Sequence, residues 1–543
     1  MSQAAPQTSR WLYGPVPDLM LGCGLLYGLV SLGFVLGGSA FFDSIPLMVP
    51  ALLVALFSAP HYGATLVRVY DQREDRRGYF LFSVVATLAL AGLFGIALFE
   101  RWTGSVLATV YLTWAGWHYT GQNYGIAVMF LRRRGVELEG RTQKLLHASF
   151  ILSYVLVFLV MHSQDAPVAD PGLEVRLIPL AIPNVVNALA VPLVLAAYLG
   201  TTVAWSFLLA RRAGRVADLV PTFLLSLTQC FWWAIPYLAR YFDFGGGWVP
   251  IGWDTRMLFF PWIACAHAVQ YLWITSFYAR ASGGWRGQGH YYLTVLTAGS
   301  AVWALPALAF APGVGEFDWN FALLVASAVN IHHFILDGAI WKLRHMKIAR
   351  VLIADVPAEA ATRPGGGGLR RLVWGVATLG LVVTLYSLAE TYWIEPAARR
   401  ANDLEGIARS FDRQAWLGKG SAFERFKLGR RFEASGKMDE AIAQFEISAG
   451  MEPRVESLKR LVAHYKRSGN AAGFVSACDR LFALDGVERP PVDTPPLETL
   501  GDRVPVDFVE ACVRTARSAR PTHPRPDPTG GTGQDGRTRS GYR

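Results

Sequence analysis

The chain has 543 residues, of which 52% are hydrophobic and only 17% are charged, and its mean hydropathy is +0.28. This composition is typical of a multi-pass membrane protein with a soluble part, and it excludes an ordinary soluble enzyme. The net charge of +10 does not require a nucleic-acid partner, and we expect none. Many of the basic residues lie in short loops beside apolar runs, where they orient a membrane protein.

Eleven apolar runs follow one another along the chain. They cover residues 19–36, 45–66, 80–99, 106–130, 145–161, 188–209, 220–241, 257–278, 292–310, 321–341 and 372–392. Runs of this length are candidate transmembrane helices. Residues 1–18 are polar and contain proline, so we expect no cleaved signal peptide. The predicted fold is therefore all-α: a polytopic transmembrane bundle of about eleven helices, followed by a small soluble helical-repeat segment.

Basic residues are distributed unevenly between the loops. They concentrate after the even-numbered runs, as in Arg132, Arg133 and Arg134 after the fourth, whereas odd-numbered runs are followed by single residues such as Arg101 and Arg176. Cytoplasmic loops of membrane proteins carry the excess of lysine and arginine. We therefore predict an inner-membrane protein with a cytoplasmic N-terminus and an extracytoplasmic C-terminal domain.

Composition divides the chain into six segments. They are a cytoplasmic tail over 1–18, a histidine-containing bundle over 19–345, a Pro/Gly-rich linker over 346–371, a last transmembrane helix over 372–392, a soluble domain over 393–518 and a disordered tail over 519–543. The five cysteines form no CxxC pair. Cys478 and Cys512 could pair if their domain lies outside the cytoplasm.

The soluble domain has the spacing of a tetratricopeptide repeat. The small, bulky and helix-breaking positions are filled by Leu428, Gly429, Phe432, Ala441, Phe445 and Pro453. Two turn glycines, Gly436 and Gly469, are 33 residues apart, close to the length of that repeat. The alternative is a generic pair of helical hairpins. If it is a repeat domain, we expect it to dock a protein partner.

Polar residues interrupt four of the apolar runs. The tenth run holds Asn330, His333 and Asp337, whose spacing of i, i+3 and i+7 places them on one helix face, with His332 about 100° around the helix. The other three runs each contain one histidine with polar neighbours: His61 with Thr65, His118 with Gln122 and Asn123, and His267 with Gln270. Such residues are costly in hydrocarbon. On one helix alone, a polar patch between packed helices would explain them equally well.

The four histidine clusters share a depth. His61, His118, His267 and His332 lie 7, 14, 13 and 10 residues before the basic ends of their runs. At about 1.5 Å per residue, this places them roughly 10–20 Å below one membrane surface. Four helices that present histidine at one depth favour a shared site.

A shared histidine site favours a metal ion. Neutral imidazole suits iron, zinc and copper. His61, His118, His267 and one of His332 and His333 would supply four nitrogens and leave positions for dioxygen on an octahedral iron. We favour His333 because it shares a face with Asp337, although a rotated helix would place His332 inward. The side chains expected to hold the ligands by hydrogen bonds are Thr65, Gln122, Asn123, Gln270 and Asn330, and the candidate catalytic residues are Asp337 and Tyr119.

The motifs and their order over residues 19–342 resemble the bacteriorhodopsin-related protein family of membrane β-carotene 15,15′-dioxygenases. The matching segments are Pro60-His61-Tyr62-Gly63-Ala64, Trp117-His118-Tyr119 with Gly121, His267, and His332-His333 with Asp337. The resemblance implies a helical bundle in which four histidines hold a non-haem ferrous iron that cleaves a polyene with dioxygen.

The chain also departs from that family. Thr65 and the pair Gln122/Asn123 stand near the places where the family has aspartates, and Gln270 or Tyr271 stands near the second histidine of the third motif. The last helix, the linker and the repeat domain have no counterpart there. The resemblance therefore implies iron more directly than it implies a carotenoid substrate.

The sequence thus predicts a membrane non-haem iron oxygenase that acts with dioxygen on a lipid or an isoprenoid or carotenoid-like substrate. One alternative is a haem-carrying electron-transfer protein with two axial histidines. A transporter with a polar path is a second, and a scaffold for the repeat domain is a third. Metal analysis and an absorption spectrum separate these alternatives.

Overall fold

A computed structural model describes part of the chain. The described residues are 9–33, 45–46, 48–70, 79–164, 177–235, 253–281, 285–310, 320–341, 346–354, 367–417, 419–451 and 454–485. The chain divides into two compact units. The first comprises Met1–Ala397 and Arg413–Lys419, and the second comprises Ala398–Asp412 and Gly420–Arg543.

The first unit is a bundle of long helices. In chain order they are α1 Pro15–Gly22, α2 Leu25–Gly33, α3 Ala51–Tyr70, α4 Leu81–Ala97, α5 Arg101–Arg133, α6 Gly140–Met161, α7 Asn184–Ala210, α8 Val220–Gln229, α9 Trp253–Ala281, α10 Gln288–Phe310, α11 Asn320–Ile340, α12 Met346–Leu352 and α13 Gly368–Arg400. Apart from one isolated bridge between Ser163 and Ile182, the regular elements in the described ranges are helical. The predicted all-α class is confirmed.

The predicted count of eleven membrane helices is not confirmed. Within the described ranges, five helices are long and apolar enough to cross a membrane: α3, α6, α7, α11 over Leu323–Ile340, and α13. The helices α5 and α9 are long, but they carry the polar residues of the histidine clusters. The helix α4 has only 17 residues, about 26 Å, whereas the hydrocarbon core is about 30 Å thick.

The first apolar run is broken. Its two helices, α1 and α2, meet at an angle of 56° and together form a sixth candidate span. Gly24 adopts the left-handed conformation at φ +79° between them, and a Cβ atom there would lie 2.6 Å from Thr228 Oγ1. The same hydroxyl donates a hydrogen bond to the Cys23 carbonyl at 2.9 Å. Glycine is therefore required at this bend.

Two glycines bring α3 and α10 into backbone contact. A Cβ atom added at Gly63 would collide with the Val295 carbonyl, and one added at Gly299 would collide with the Ala59 carbonyl. Small residues permit this approach between membrane helices. Because Gly63 lies two residues from His61, the crossing fixes the position of that histidine in the bundle.

The segment predicted as a linker contains a packed helix. α12 buries Ile348, Val351 and Leu352 in the largest hydrophobic cluster of the bundle. Residues 355–366 of the predicted linker, which include its two prolines and two of its four consecutive glycines, lie outside the described ranges. The boundary at 346 is therefore corrected, since residues 346–352 belong to the folded core.

The second unit is a series of short helices. They are α14 Leu404–Trp416, whose residues to Asp412 belong to this unit, α15 Ala422–Ala434, α16 Met438–Met451, α17 Val455–Ser468 and α18 Ala471–Asp485. Leu428, Phe432, Ala441 and Phe445 are buried in its core. A Cβ atom at Gly429 would lie 2.6 Å from the Phe445 ring.

These helices agree with consecutive hairpins, and their assignment to tetratricopeptide repeats stays a prediction. Pro453, Cys512 and the predicted disordered tail lie outside the described residues.

Candidate metal centre

Four histidines from four helices meet in the core of the bundle. The ring centroid of His61 lies 4.2 Å from that of His333 and 4.9 Å from that of His267. The ring centroid of His118 lies 5.1 Å from that of His333 and 5.0 Å from that of His267. The rings therefore form a closed set in which α3, α5, α9 and α11 each contribute one imidazole.

The possible ligand atoms fall into two overlapping groups. One group is His61, His267 and His333, and the other is His118, His333 and Asp337. Within each group, one donor atom per residue lies within 4.8 Å of the others. Two nitrogens that are each about 2.1 Å from one ion are at most about 4.2 Å apart. The observed spacing is thus close to that of ligands to a common ion, and His333 belongs to both groups.

Several imidazole nitrogens in these groups have no hydrogen-bond partner among the described residues. They are the buried atoms His61 Nε2, His118 Nε2, His333 Nε2 and both ring nitrogens of His267. A buried polar atom without a partner is unfavourable. A neutral imidazole has one lone-pair nitrogen, so each of these four histidines could supply one nitrogen to a metal ion. The residues present therefore fit a metal site.

Asp337 presents its two oxygens to different surroundings. Oδ1 accepts hydrogen bonds from the Tyr271 hydroxyl at 2.6 Å and from Thr65 Oγ1 at 3.1 Å. Oδ2 lies 3.6 Å from His333 Nε2 and 3.8 Å from His118 Nε2. Oδ1 is therefore fixed by neighbouring side chains, whereas Oδ2 faces the unpartnered nitrogens.

Thr65 connects Asp337 to His333. Its Oγ1 lies 3.0 Å from His333 Nδ1. Tyr271 donates its own proton to Asp337, so the single Thr65 proton goes either to Asp337 Oδ1 or to the Tyr271 oxygen, which lies 2.6 Å from Thr65 Oγ1. In both cases the Thr65 oxygen accepts the Nδ1–H of His333. The neutral ring then has its lone pair on Nε2, which is the atom that lies near Asp337 Oδ2.

Gln122 and Gln270 join the helices beside the histidines. Gln122 Nε2 donates to the His267 carbonyl at 3.1 Å and to Gln270 Oε1 at 3.1 Å. Gln270 Nε2 donates to the Gly22 carbonyl at 3.3 Å. The expectation that they would hold an imidazole nitrogen is therefore corrected, because these hydrogen bonds fix the backbone that carries His267.

Two other expected site residues lie elsewhere. His332 points to a separate polar cluster, with Nε2 2.8 Å from Thr87 Oγ1 and 3.3 Å from the Tyr70 hydroxyl. The candidate ligand on α11 is thus His333, and His332 is corrected. Asn123 donates to Gln229 Oε1 at 2.9 Å, on the side of α5 that packs against α8.

Asn330 reaches the site through the Tyr62 side chain, and Tyr119 contacts it through its own ring. Asn330 Oδ1 accepts from the Tyr62 hydroxyl at 2.5 Å, and the Tyr62 ring lies 5.3 Å from that of His333. The Tyr119 ring stacks on His267 with centroids 4.2 Å apart and planes at 27°. This ring contact orients His267. Tyr119 therefore acts at the site through its ring, whereas the predicted catalytic role would use its hydroxyl.

Two residues of the network have no role in the sequence prediction. Tyr271 donates to Asp337, and Trp341 Nε1 donates to the Tyr271 hydroxyl at 2.9 Å. Tyr271 lies four residues after His267, and Trp341 lies four residues after Asp337. Residues at i and i+4 share a helix face, so this spacing indicates that Tyr271 and Trp341 lie on the same faces as His267 and Asp337.

A cavity of about 360 Å³ adjoins the second group of ligands. Its lining includes His118 and Asp337, together with aromatic and aliphatic side chains of α5, α11 and α12. Cavities of about 300–1,000 Å³ are typical of small-molecule sites. The site therefore has room for a reactant on the side of His118.

Comparisons with family models, curated proteins and solved structures found no match to the chain.

Proposed function

We propose that the protein is a membrane-embedded oxygenase with a non-haem iron, and that it oxidises an apolar lipid-like or isoprenoid substrate with dioxygen. The observation that carries the proposal is the convergence of four imidazoles and one carboxylate oxygen from four helices. The unpartnered nitrogens make that convergence unfavourable unless something binds them.

The donor set suits iron. Imidazole nitrogens and a carboxylate oxygen are the ligands of many non-haem iron sites. Zinc and copper also accept imidazole, so the choice of iron rests on the motif resemblance. Of the possible ligands, His118 and Asp337 line the cavity, so a reactant would reach a bound ion from their side.

The protein's own residues would have different roles in the reaction. His61, His267 and His333 would hold the ion, and Thr65 would keep the Nε2 lone pair of His333 directed at it. Asp337 Oδ2 and His118, which belong to the second group of possible ligands, would complete the site on the side of the cavity, where the reactants arrive. The buried aromatic rings around the histidines would exclude water.

Bound iron would supply the activation of dioxygen. Cleavage of one carbon–carbon double bond by one dioxygen molecule gives two carbonyl groups. Each oxygen atom enters one product, so no further reductant is needed.

The geometry argues against the alternatives. A bis-histidine haem needs a planar gap between its axial rings, whereas these rings lie edge to face at 4.2–5.1 Å. A proton path usually contains several acidic residues, and Asp337 is the single carboxylate in the two ligand groups found among the described residues. A simple scaffold leaves the unpartnered nitrogens unexplained.

Metal analysis of protein purified from membranes tests the proposal. We expect about one iron per chain and no Soret band, by the ligand count above. His333→Ala should abolish bound iron, whereas His332→Ala should retain it, because His332 lies in the Thr87 cluster. A Soret band, or no transition metal in correctly folded protein, would reject the proposal. Oxygen consumption on addition of β-carotene and of unsaturated fatty acid then tests the reaction itself.

A further inference from the structure

The cavity beside the candidate metal centre has glycines in two of its walls. On α5, His118, Gly121 and Gly125 lie at i, i+3 and i+7, so they share the face that lines the cavity. On α11, Gly338 directly follows Asp337 and lines the opposite wall. The two candidate ligands that reach the cavity are thus each accompanied by a glycine.

These glycines leave open space. A Cβ atom added at Gly121, Gly125 or Gly338 would meet no heavy atom within 4 Å. Gly63 and Gly299 differ, because their added Cβ atoms would collide with a neighbouring helix. The cavity glycines therefore do not serve close helix packing, and their lack of side chains widens the cavity.

The open side of the candidate metal centre faces this cavity. The lining includes His118 and Asp337 but not His61, His267 or His333. The His118 side chain is 11% exposed, whereas that of His333 is 2% exposed. A reactant that reaches the ion from outside would thus arrive beside His118.

The remaining walls suit a hydrocarbon. Trp114, Trp117, Phe334, Trp341, Ile348 and Leu352 all contribute to them. Among the described residues that line the cavity, none is a lysine or arginine that could bind an anionic headgroup. A volume of about 360 Å³ is at the low end for ligand cavities. The cavity therefore fits part of a slender chain better than a bulky molecule.

We propose that a single apolar chain, acyl or isoprenoid, lies between α5 and α11 with its reacting carbon beside His118 and Asp337. Gly121, Gly125 and Gly338 set the width of the chain that is accepted. This inference rests on the proposed function for the chemistry at the inner end, but the binding of the chain needs no metal.

Photolabelling of the full chain tests the proposal. The protein, with and without metal, is reconstituted in phosphatidylcholine vesicles with a palmitate probe or a farnesol probe, each bearing a diazirine. Labelling of peptides from 114–126 and 334–341 is measured relative to peptides from α7, which is mostly exposed along its length. The α7 signal reports contact with bulk lipid. The two probes distinguish an acyl chain from an isoprenoid chain.

Gly121→Leu and Gly125→Leu should each lower the relative labelling of the cavity peptides by about ten-fold or more, the discrimination that one misplaced methylene can produce in an apolar pocket. The matched control is Gly200→Leu on α7, where an added Cβ also meets nothing within 4 Å. That control should label as the wild type does. Iron content should be the same in all variants.

The inference is overturned if the cavity peptides of the wild type are labelled no more than those of α7. It is also overturned if Gly121→Leu and Gly125→Leu label normally, or if Gly200→Leu causes the same loss. Glycine-dependent labelling of a protein that binds no metal would reject the proposed oxygenase and leave the chain-binding cavity standing.

Discussion

Thr65 Oγ1 lies 3.0 Å from His333 Nδ1 and 3.1 Å from Asp337 Oδ1. One hydroxyl on α3 thus orients two candidate ligands on α11. The Trp341 indole and the Tyr271 hydroxyl extend the same chain of hydrogen bonds. Such partners fix the tautomer and the ring orientation of a metal-binding histidine.

Thr65→Val tests this relationship, because valine keeps the shape of threonine and removes the hydroxyl. We expect the affinity for iron to fall by about 10–100-fold, as is usual when a hydrogen-bond partner of a ligand is lost. Competition with a chelator of known affinity measures it. Thr87→Val is the matched control, since Thr87 contacts His332 outside the two ligand groups. Equal losses in the two variants would mean that the effect is general loosening of the bundle.

Asp337→Asn tests the carboxylate. The amide has nearly the same shape but no charge, so we expect iron affinity or activity to fall by about 10–100-fold. Tyr271→Phe keeps the carboxylate and removes the donor to Oδ1, so its effect should be smaller. Iron content and oxygen uptake of both variants are measured together. A Tyr271→Phe defect larger than that of Asp337→Asn would contradict the assigned order.

The sequence predicted the residues of the centre better than their roles. Helical spacing placed His333 and Asp337 on one face, and the structure places them together. The same reasoning could not choose between His332 and His333, because only the packing of α11 against α3 and α5 fixes its rotation. The spacing also suited Gln122, Asn123 and Gln270. However, Asn123 donates to Gln229 and Gln270 donates to the Gly22 carbonyl, and both partners lie far away in sequence.

The helix count shows a different limit. Hydropathy identifies apolar runs, but the length and continuity of a helix also depend on tertiary contacts. The close contact between Gly24 and Thr228 accompanies the break in the first run. These two residues are too far apart in sequence to fall within one hydropathy window. The helix α12 was missed for the opposite reason: it is short and partly charged, and its burial depends on neighbours far away in sequence.

Ala441→Leu tests the core of the second unit. Ala441 is 1% exposed, and added methylene groups in a packed core cost roughly 1–3 kcal/mol. Ala443→Leu on the same helix is the control, because Ala443 is exposed. Hydrogen exchange of peptides from α15 and α16 in the full chain measures the loss of stability. Iron content should be unchanged, and its simultaneous loss would show that the two units do not fold separately.

Glu424 makes the stability of the second unit depend on pH. Burial acts to raise the pKa of Glu424, but hydrogen bonds from Lys427 at 2.8 Å and Arg399 at 2.9 Å lower it more, so the net pKa lies below the ordinary value. A carboxyl group whose pKa is lower in the folded state stabilises the fold at pH values above its unfolded-state pKa. This contribution is lost as the pH falls through its folded-state pKa.

Glu424→Gln should therefore destabilise the second unit near neutral pH and have little effect in acid. Since the pair is partly exposed, the difference should be about 1 kcal/mol or less. Chemical denaturation at several pH values measures it. Glu440→Gln, at an exposed position of α16, should show no such trend. A difference that persists once the pH has fallen below the folded-state pKa of Glu424 would contradict the assignment.

The side on which residue 403 lies depends on the number of helices that cross the membrane. With a cytoplasmic N-terminus, the five candidate spans of the described residues place it outside the cytoplasm, as does the predicted count of eleven, whereas six, with α1 and α2 as one bent span, place it inside. The concentration of basic residues after the even-numbered runs favours eleven crossings and the outside position. A reporter that is active only in the periplasm should therefore be active when fused after Asp403 and silent when fused after Arg134, in the most basic loop. Activity at both positions would indicate five spans, because only α3 then precedes Arg134, and silence at both with normal expression would indicate six. Activity at Arg134 alone would reverse the orientation.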